Sequence, residues 1–316
     1  MGAGEGTLPS RARGAAALAL AGLLFGSTFL VVGNAIEQAS VAAFLAARFL
    51  IGAAVLWPLA RRRAATVGEV RAGVLAGLAL VGGFVTQTAG LRTVDGATSA
   101  FITYLLVVIV PLLGVVRWRR APESNVIAGV VLAVAGIWGL SGGISGVGRG
   151  EVLTLVCAVF FALHIVILGE VAADHDPLRL TMWSVLTVGL VCLGPGAASA
   201  DGYGFPAEVW AAAAFTGVGA TAGAFWCMAW GQRVVPDAQA AIIYLLEPVS
   251  AGVLGAVAGD ALGIGGIVGA GLILAAVLVA ELGGRRPTPP LGPELSLVTE
   301  LDADLGLVAD PDPDDG

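Results

Sequence analysis

Apolar positions along this chain fall in long runs, separated by short polar connections that hold most of the charges. Ten runs stand out, at about 14–34, 39–60, 71–90, 95–116, 124–142, 150–169, 179–198, 208–230, 236–258 and 261–282. A helix needs roughly 20 predominantly apolar residues to cross the hydrocarbon of a bilayer. None of the runs alternates apolar and polar positions as a barrel strand does, and lipid requires every backbone polar group to be satisfied within the structure. The pattern predicts an all-α membrane protein with ten transmembrane helices.

Two passages of this pattern read alike. Gly90-Leu91-Arg92-Thr93-Val94 runs into Tyr104-Leu105-Leu106, and Gly231-Gln232-Arg233-Val234-Val235 runs into Tyr244-Leu245-Leu246, with the arginines 141 and the tyrosines 140 residues apart. A weaker match at an offset of 136 relates Leu23-Leu24-Phe25-Gly26 through Gly33 to Val159-Phe160-Phe161-Ala162 through Gly169. One unit is used twice, and five spans lie on either side of residue 145. An odd number of spans per copy sets the second copy upside down, so two inverted-topology five-helix repeats are expected, at 14–142 and 150–282. Many secondary transporters share that arrangement and hold their substrate near mid-membrane, at the interface between the repeats.

Composition agrees with lipid as the solvent: 57% of residues are hydrophobic and 12% charged, where a soluble domain has about a quarter charged. Lysine is absent, and with the N-terminus inside, thirteen arginines fall in cytoplasmic connections. Only Arg92 and Arg149 are then outside, with Arg48 inside a span, so both termini are expected in the cytoplasm. The net charge of −7 belongs to the tail, because residues 287–316 hold eight acidic residues and no basic one. Segment 283–316 is expected to be a disordered cytoplasmic tail, and 1–13 a short cytoplasmic leader into a retained first helix. Cys157, Cys192 and Cys227 are spaced as small buried residues. No cofactor, metal or nucleic-acid partner is expected.

Glu247, followed by Pro248, falls in the middle of the ninth span. A carboxylate at that depth is costly unless paired, hydrated or protonated, so it either binds substrate or couples protons, or it is tied structurally to another helix. Pro248 frees a carbonyl one turn earlier, near Tyr244. Arg48, eight residues into the second span, reaches toward the outer headgroups or faces the cavity, where it would bind an anion or pair with Glu247. His164, without an acidic or histidine neighbour at ligand spacing, lines the cavity or bonds between helices. Tyr104 and Tyr244 match each other in spans four and nine, and either line the cavity or pack. Gln87, Ser27 and Thr28 are scattered polar residues, while Phe25, Phe161 and Trp226 are candidates for an apolar wall. Glycine pairs at spacing four, Gly73 and Gly77, Gly219 and Gly223, and Gly265 and Gly269, allow helices to approach closely.

Together these residues resemble the drug/metabolite transporter superfamily, in its ten-helix EamA-type branch. The stretches that carry the likeness are Leu24-Phe25-Gly26-Ser27-Thr28-Phe29, Phe44 to Phe49 around Arg48, Gln87-Thr88-Ala89-Gly90-Leu91 with Ala97 and Phe101 to Pro111, Gly150-Glu151, Tyr244 to Val249, and Gly259-Asp260. The chain departs from the usual pattern at Phe25-Gly26, where Trp-Gly is customary, and at Asp260, where Glu is. The resemblance implies a bacterial inner (plasma) membrane protein whose cavity is lined by spans one, three, four, six, eight and nine. It further implies a secondary transporter of small metabolites, amino acids among them, with proton coupling or solute exchange. A membrane-embedded lipid-modifying enzyme fits less well, since the loop acids are dispersed, and a structural membrane subunit would not need Glu247. Substrate, protons and lipids are the expected partners, with monomer and homodimer both open.

Overall fold

The computed structural model describes residues 10–94, 96–118, 121–141, 148–257 and 263–283. The expected acidic tail after Gly283, the leader before Ser10 and the Gly259-Asp260 motif lie outside the described residues. Among those described, the secondary structure is helical throughout: α1 (Arg11–Gly26), α2 (Phe29–Glu37), α3 (Val41–Ala60), α4 (Val67–Gly90), α5 (Gly96–Tyr104), α6 (Leu106–Trp118), α7 (Ser124–Ser141), α8 (Arg149–Val171), α9 (Pro177–Ala197) and α10 (Ala207–Thr216). A π-helical turn (Gly217–Ala224) then leads into α11 (Phe225–Gly231), α12 (Asp237–Ile243), α13 (Leu246–Val257) and α14 (Ile264–Gly283). Nine helical segments of the described residues are long and apolar enough to cross a membrane. The first expected span is laid down as two shorter helices, α1 and α2, with Ser27 and Thr28 between them.

Local chemistry explains where the helices begin. The Ser40 hydroxyl accepts from the Ala43 amide at 3.2 Å, and Thr66 and Glu69 cap α4 reciprocally. Asp176 accepts from the amides of Leu178 and Arg179 ahead of α9, with Pro177 at the first helical position.

Helix breaks fall at the duplicated motif. Helices α5 and α6 part at Leu105, and α12 and α13 part at Tyr244-Leu245. Pro248 has no N–H to offer the Tyr244 carbonyl, which instead accepts from the Glu247 amide at 2.9 Å in a tighter turn. In the first span, the hydroxyls of Ser27 and Thr28 donate to the carbonyls of Leu24 and Phe25. Side chains thereby satisfy carbonyls that an interrupted helix leaves open.

Small residues set the packing. A Cβ on Gly136 would lie 2.8 Å from the Gly269 carbonyl, so α7 and α14 meet nearly backbone to backbone. Gly73 and Gly77 lie in the same way against Trp183, Leu180 and Ser184 of α9, whereas Gly219 has open space beside it. Two crossings are built alike. A Cβ on Gly150 would be 3.1 Å from the Gly90 carbonyl, and one on Gly14 would be 3.1 Å from the Gly231 carbonyl. Outside this packed interior, Val116, Val131, Trp138, Ile264 and Leu278 are exposed, an outer surface suited to acyl chains rather than water.

The candidate cavity and its carboxylate

Five phenylalanines from five spans fill the middle of the bundle. Phe25 meets Phe225 edge to face at 5.1 Å and 70°, and Phe84 meets Phe161 at 5.2 Å and 74°. Phe84 also meets Phe225 at 6.4 Å, and Phe49 touches both. Each edge-to-face pair is worth about 0.5–1.5 kcal/mol beyond its buried area. Phe161 nests against Gly83, where any Cβ would collide with its ring. The sequence pattern singled out Phe25 and Phe161 but not Phe49, Phe84 or Phe225.

Arg48 lies on this cluster, 5% exposed, with its guanidinium carbon 5.5 Å from the ring centres of both Phe49 and Phe84. A cation over two ring faces is held by about 0.5–2 kcal/mol per face when desolvated. Its Nε donates to the Thr221 hydroxyl at 2.9 Å. Thr221 sits in the π-helical turn, a geometry common at functional sites because it redirects one turn of side chains. Arg48 also lines a small cavity of about 60 Å³ with Phe84, Gln87, Thr88 and Leu91.

Glu247 is half-buried at the start of α13. The Tyr104 hydroxyl donates to its carboxylate, and the charge of Arg48 acts on the same group. Helix α1 passes directly behind: Gly26 lies against the Glu247 carbonyl and Ser250, and a Cβ on Gly22 would be 3.3 Å from the Glu247 amide. Gln87 donates to the Thr103 hydroxyl at 3.5 Å, one residue from Tyr104. Glu247, Tyr104, Arg48, Gln87, Phe25 and Phe161 therefore share one neighbourhood.

Other singled-out residues lie elsewhere or have local partners. Tyr244 does not join Glu247; it donates to Gln232 Oε1 at 3.1 Å. One ring nitrogen of His164, Nδ1, bonds the Ala76 carbonyl at 2.9 Å, and its ring stands edge-on to Phe225 at 5.8 Å. Ser27 and Thr28 are occupied by carbonyls of their own chain segment. Trp226 is 43% exposed, one helical step away from the buried face that carries Phe225. A larger groove of about 460 Å³, open at the surface, lies between α2 and α10 beside Glu208, apart from Glu247. Among the described residues, no group of three His, Cys, Asp or Glu is placed to hold a metal ion.

Comparison with known proteins accords with this architecture. The model of the EamA-like transporter family matches twice, at residues 12–142 and 148–281. Two proteins of Archaeoglobus fulgidus, each named an uncharacterized transporter, are similar to the chain. One is 29% identical over 84% of this chain and 84% of its own length, the other 27% identical over 84% and 96%. A crystal structure superposes with a TM-score of 0.74 at 21% identity, covering 88% of this chain and 99% of the other, which establishes likeness of fold. Two family domains covering most of the sequence, on a bundle of apolar helices, settle the assignment: the chain is a multi-pass membrane protein and belongs to the EamA-like transporter family.

Proposed function

We propose that the protein is a secondary active transporter that moves a small amphipathic metabolite across the bacterial inner membrane by alternating access. The carrying observation is Glu247: a carboxylate at a helix break, hydrogen-bonded by Tyr104 and acted on by Arg48, with an aromatic cluster beneath. A carboxylate within a membrane-spanning helix is a functional site by default, because an apolar surround would otherwise select against it. In this reading Glu247 takes up and releases a proton, or faces a substrate amine, while Arg48 offers a planar donor set to a substrate carboxylate. An amino acid or a similar solute would satisfy both groups. The two family domains, with five expected spans each, would stand in opposite orientations, and the positive-inside pattern supports a cytoplasmic side for the arginine-rich connections.

The test is solute counterflow in liposomes, using the purified full chain and a panel of labelled amino acids and related amphipathic solutes. Wild-type protein is expected to exchange at least one of them. Glu247→Gln is expected to abolish movement driven by a proton gradient while retaining part of the counterflow. If no solute exchanges in protein shown to be folded, the transporter reading fails. If proton dependence is unchanged in Glu247→Gln, the coupling role fails and the rest stands.

A further inference from the structure

One end of the bundle is bound together by polar side chains from five spans. Arg11 donates to Gln239 at 2.6 Å, and Arg117 pairs with Glu170 at 3.6 Å. Asp237 lies against Gly169, where a Cβ would not fit. At the centre is Gln232, 3% exposed, at the end of α11. Its amide nitrogen donates to the Ile165 carbonyl of α8 at 2.7 Å and to Asp237 at 3.4 Å, while its oxygen accepts from Tyr244. A single amide thus joins α8, α11, α12 and the residue at which the ninth span breaks.

At the other end the matching position tells a different story. The close contacts of Gly90 with Gly150 and of Gly231 with Gly14 align the two copies, so Leu91 is the counterpart of Gln232. Leu91 bridges nothing; it lines the cavity of about 60 Å³ beside Arg48 and Thr88. Polar bridging and open space therefore fall at opposite ends of one repeated design.

We propose that Gln232 is the keystone of a latch that holds the arginine-rich end closed, and that the latch must part for the bundle to open there. Its strength lies in geometry: the bonds to Ile165 and Tyr244 are buried and the bond to Asp237 is partly so, and all are made by one side chain, so they are lost together. Glu170 and Asp237, two acids brought close at this end, are kept in place by Arg117 and Gln232, which makes the closed arrangement depend on both bridges. The inference rests on the alternating-access reading, yet its readout does not need transport.

The experiment is hydrogen–deuterium exchange of the full chain in nanodiscs. Gln232→Leu gives the second copy the residue that the first carries at position 91. Exchange is expected to rise about fivefold for each hydrogen bond lost in segments 165–172 and 232–240, and to fall in 86–94 as the opposite end closes. Tyr244→Phe removes one bond and should act in the same direction by a smaller factor; it carries the test alone if Gln232→Leu does not yield monodisperse protein. Unchanged exchange at the arginine-rich end, or a rise at both ends together, overturns the latch. Counterflow by wild-type protein decides the transport reading separately, so the two failures cannot be confused.

Discussion

The crossing of Gly90 with Gly150 and the crossing of Gly231 with Gly14 are the same contact made twice, and the ring pairs Phe84–Phe161 and Phe225–Phe25 repeat it at the centre of the bundle. Polar chemistry is not repeated. The Gly77 contact with the Ser184 carbonyl matches the Gly217 contact with the Arg48 carbonyl, so Arg48 in one copy corresponds to Ser184 in the other. Glu247 corresponds to Val107, and Gln232 to Leu91. Backbone approach and ring packing are what the duplicated unit needs to fold, and both copies keep them. At each of these matched positions only one copy carries the charge or the hydrogen bond: the first copy supplies Arg48, and the second supplies Glu247 and Gln232.

The comparison can be broken most forcefully at the glycine crossings. Gly90→Leu would drive its side chain into Thr154 and the Gly150 backbone, and Gly231→Leu into Leu18 and the Gly14 backbone. Overpacking typically costs about 1–3 kcal/mol and more where backbone must move. Both variants are expected to lose folded, monodisperse protein or to melt far below wild type, by similar amounts. Tolerance of one and not the other, in size-exclusion and thermal-unfolding assays, would show that the two crossings are not equivalent.

A medium effect is expected where the two copies differ in charge. Arg179 grips Glu69 through two bonds, Nε to Oε2 at 2.9 Å and Nη2 to Oε1 at 2.6 Å, joining α4 to α9 at the arginine-rich end. Helix α10 of the second copy also has a glutamate in its first turn, Glu208, but Ala43 stands where the matching arginine would be. Removing one partner of a buried pair costs about 3–5 kcal/mol, and this pair is partly reached by water. Arg179→Ala is therefore expected to destabilise by roughly 2–3 kcal/mol, with a large coupling to Glu69→Ala in a double-mutant cycle. Glu208→Ala should leave the melting midpoint where it is. A vanishing coupling between Arg179 and Glu69 would remove this difference between the ends.

Much of the architecture is readable in the residues, for physical reasons. Apolar runs of membrane-crossing length show themselves, and Gly-x-Arg with Tyr-Leu-Leu marks both the close crossings and the helix breaks because a crossing needs glycine and a break needs a turn. The aromatic centre is harder to read. Phe84 and Phe225 stand in helices where most residues are apolar, and only the 141-residue offset relates them. Thr221 could not be found from spacing, because the equivalent glycines Gly77 and Gly217 are 140 apart while the phenylalanines after them are 141 apart. One inserted residue is absorbed by the π-helical turn, which aims Thr221 at Arg48. Trp226 differs for a related reason: next to a buried Phe225, it is turned about 100° around the helix, onto an exposed face. The tyrosines show the limit of a repeat, since Tyr104 bonds Glu247 and Tyr244 bonds Gln232.

Ser184 gives the smallest and most selective test of the difference between copies. It occupies the place of Arg48 in the second copy, is 4% exposed, and its hydroxyl has no hydrogen-bond partner among the described residues. An unpaired buried hydroxyl contributes nothing that an alanine would forfeit, and its removal relieves an unmet desolvation cost. Ser184→Ala is expected to change stability by less than about 0.5 kcal/mol, in the stabilising direction, and to leave counterflow unaltered. Arg48→Ala at the matching position strips Thr221 of its donor and the Phe49 and Phe84 rings of their cation. A Ser184→Ala protein that lost counterflow as fully as Arg48→Ala would mean that position 184 supplies polar chemistry as position 48 does, and that the contrast between these two matched positions is wrong.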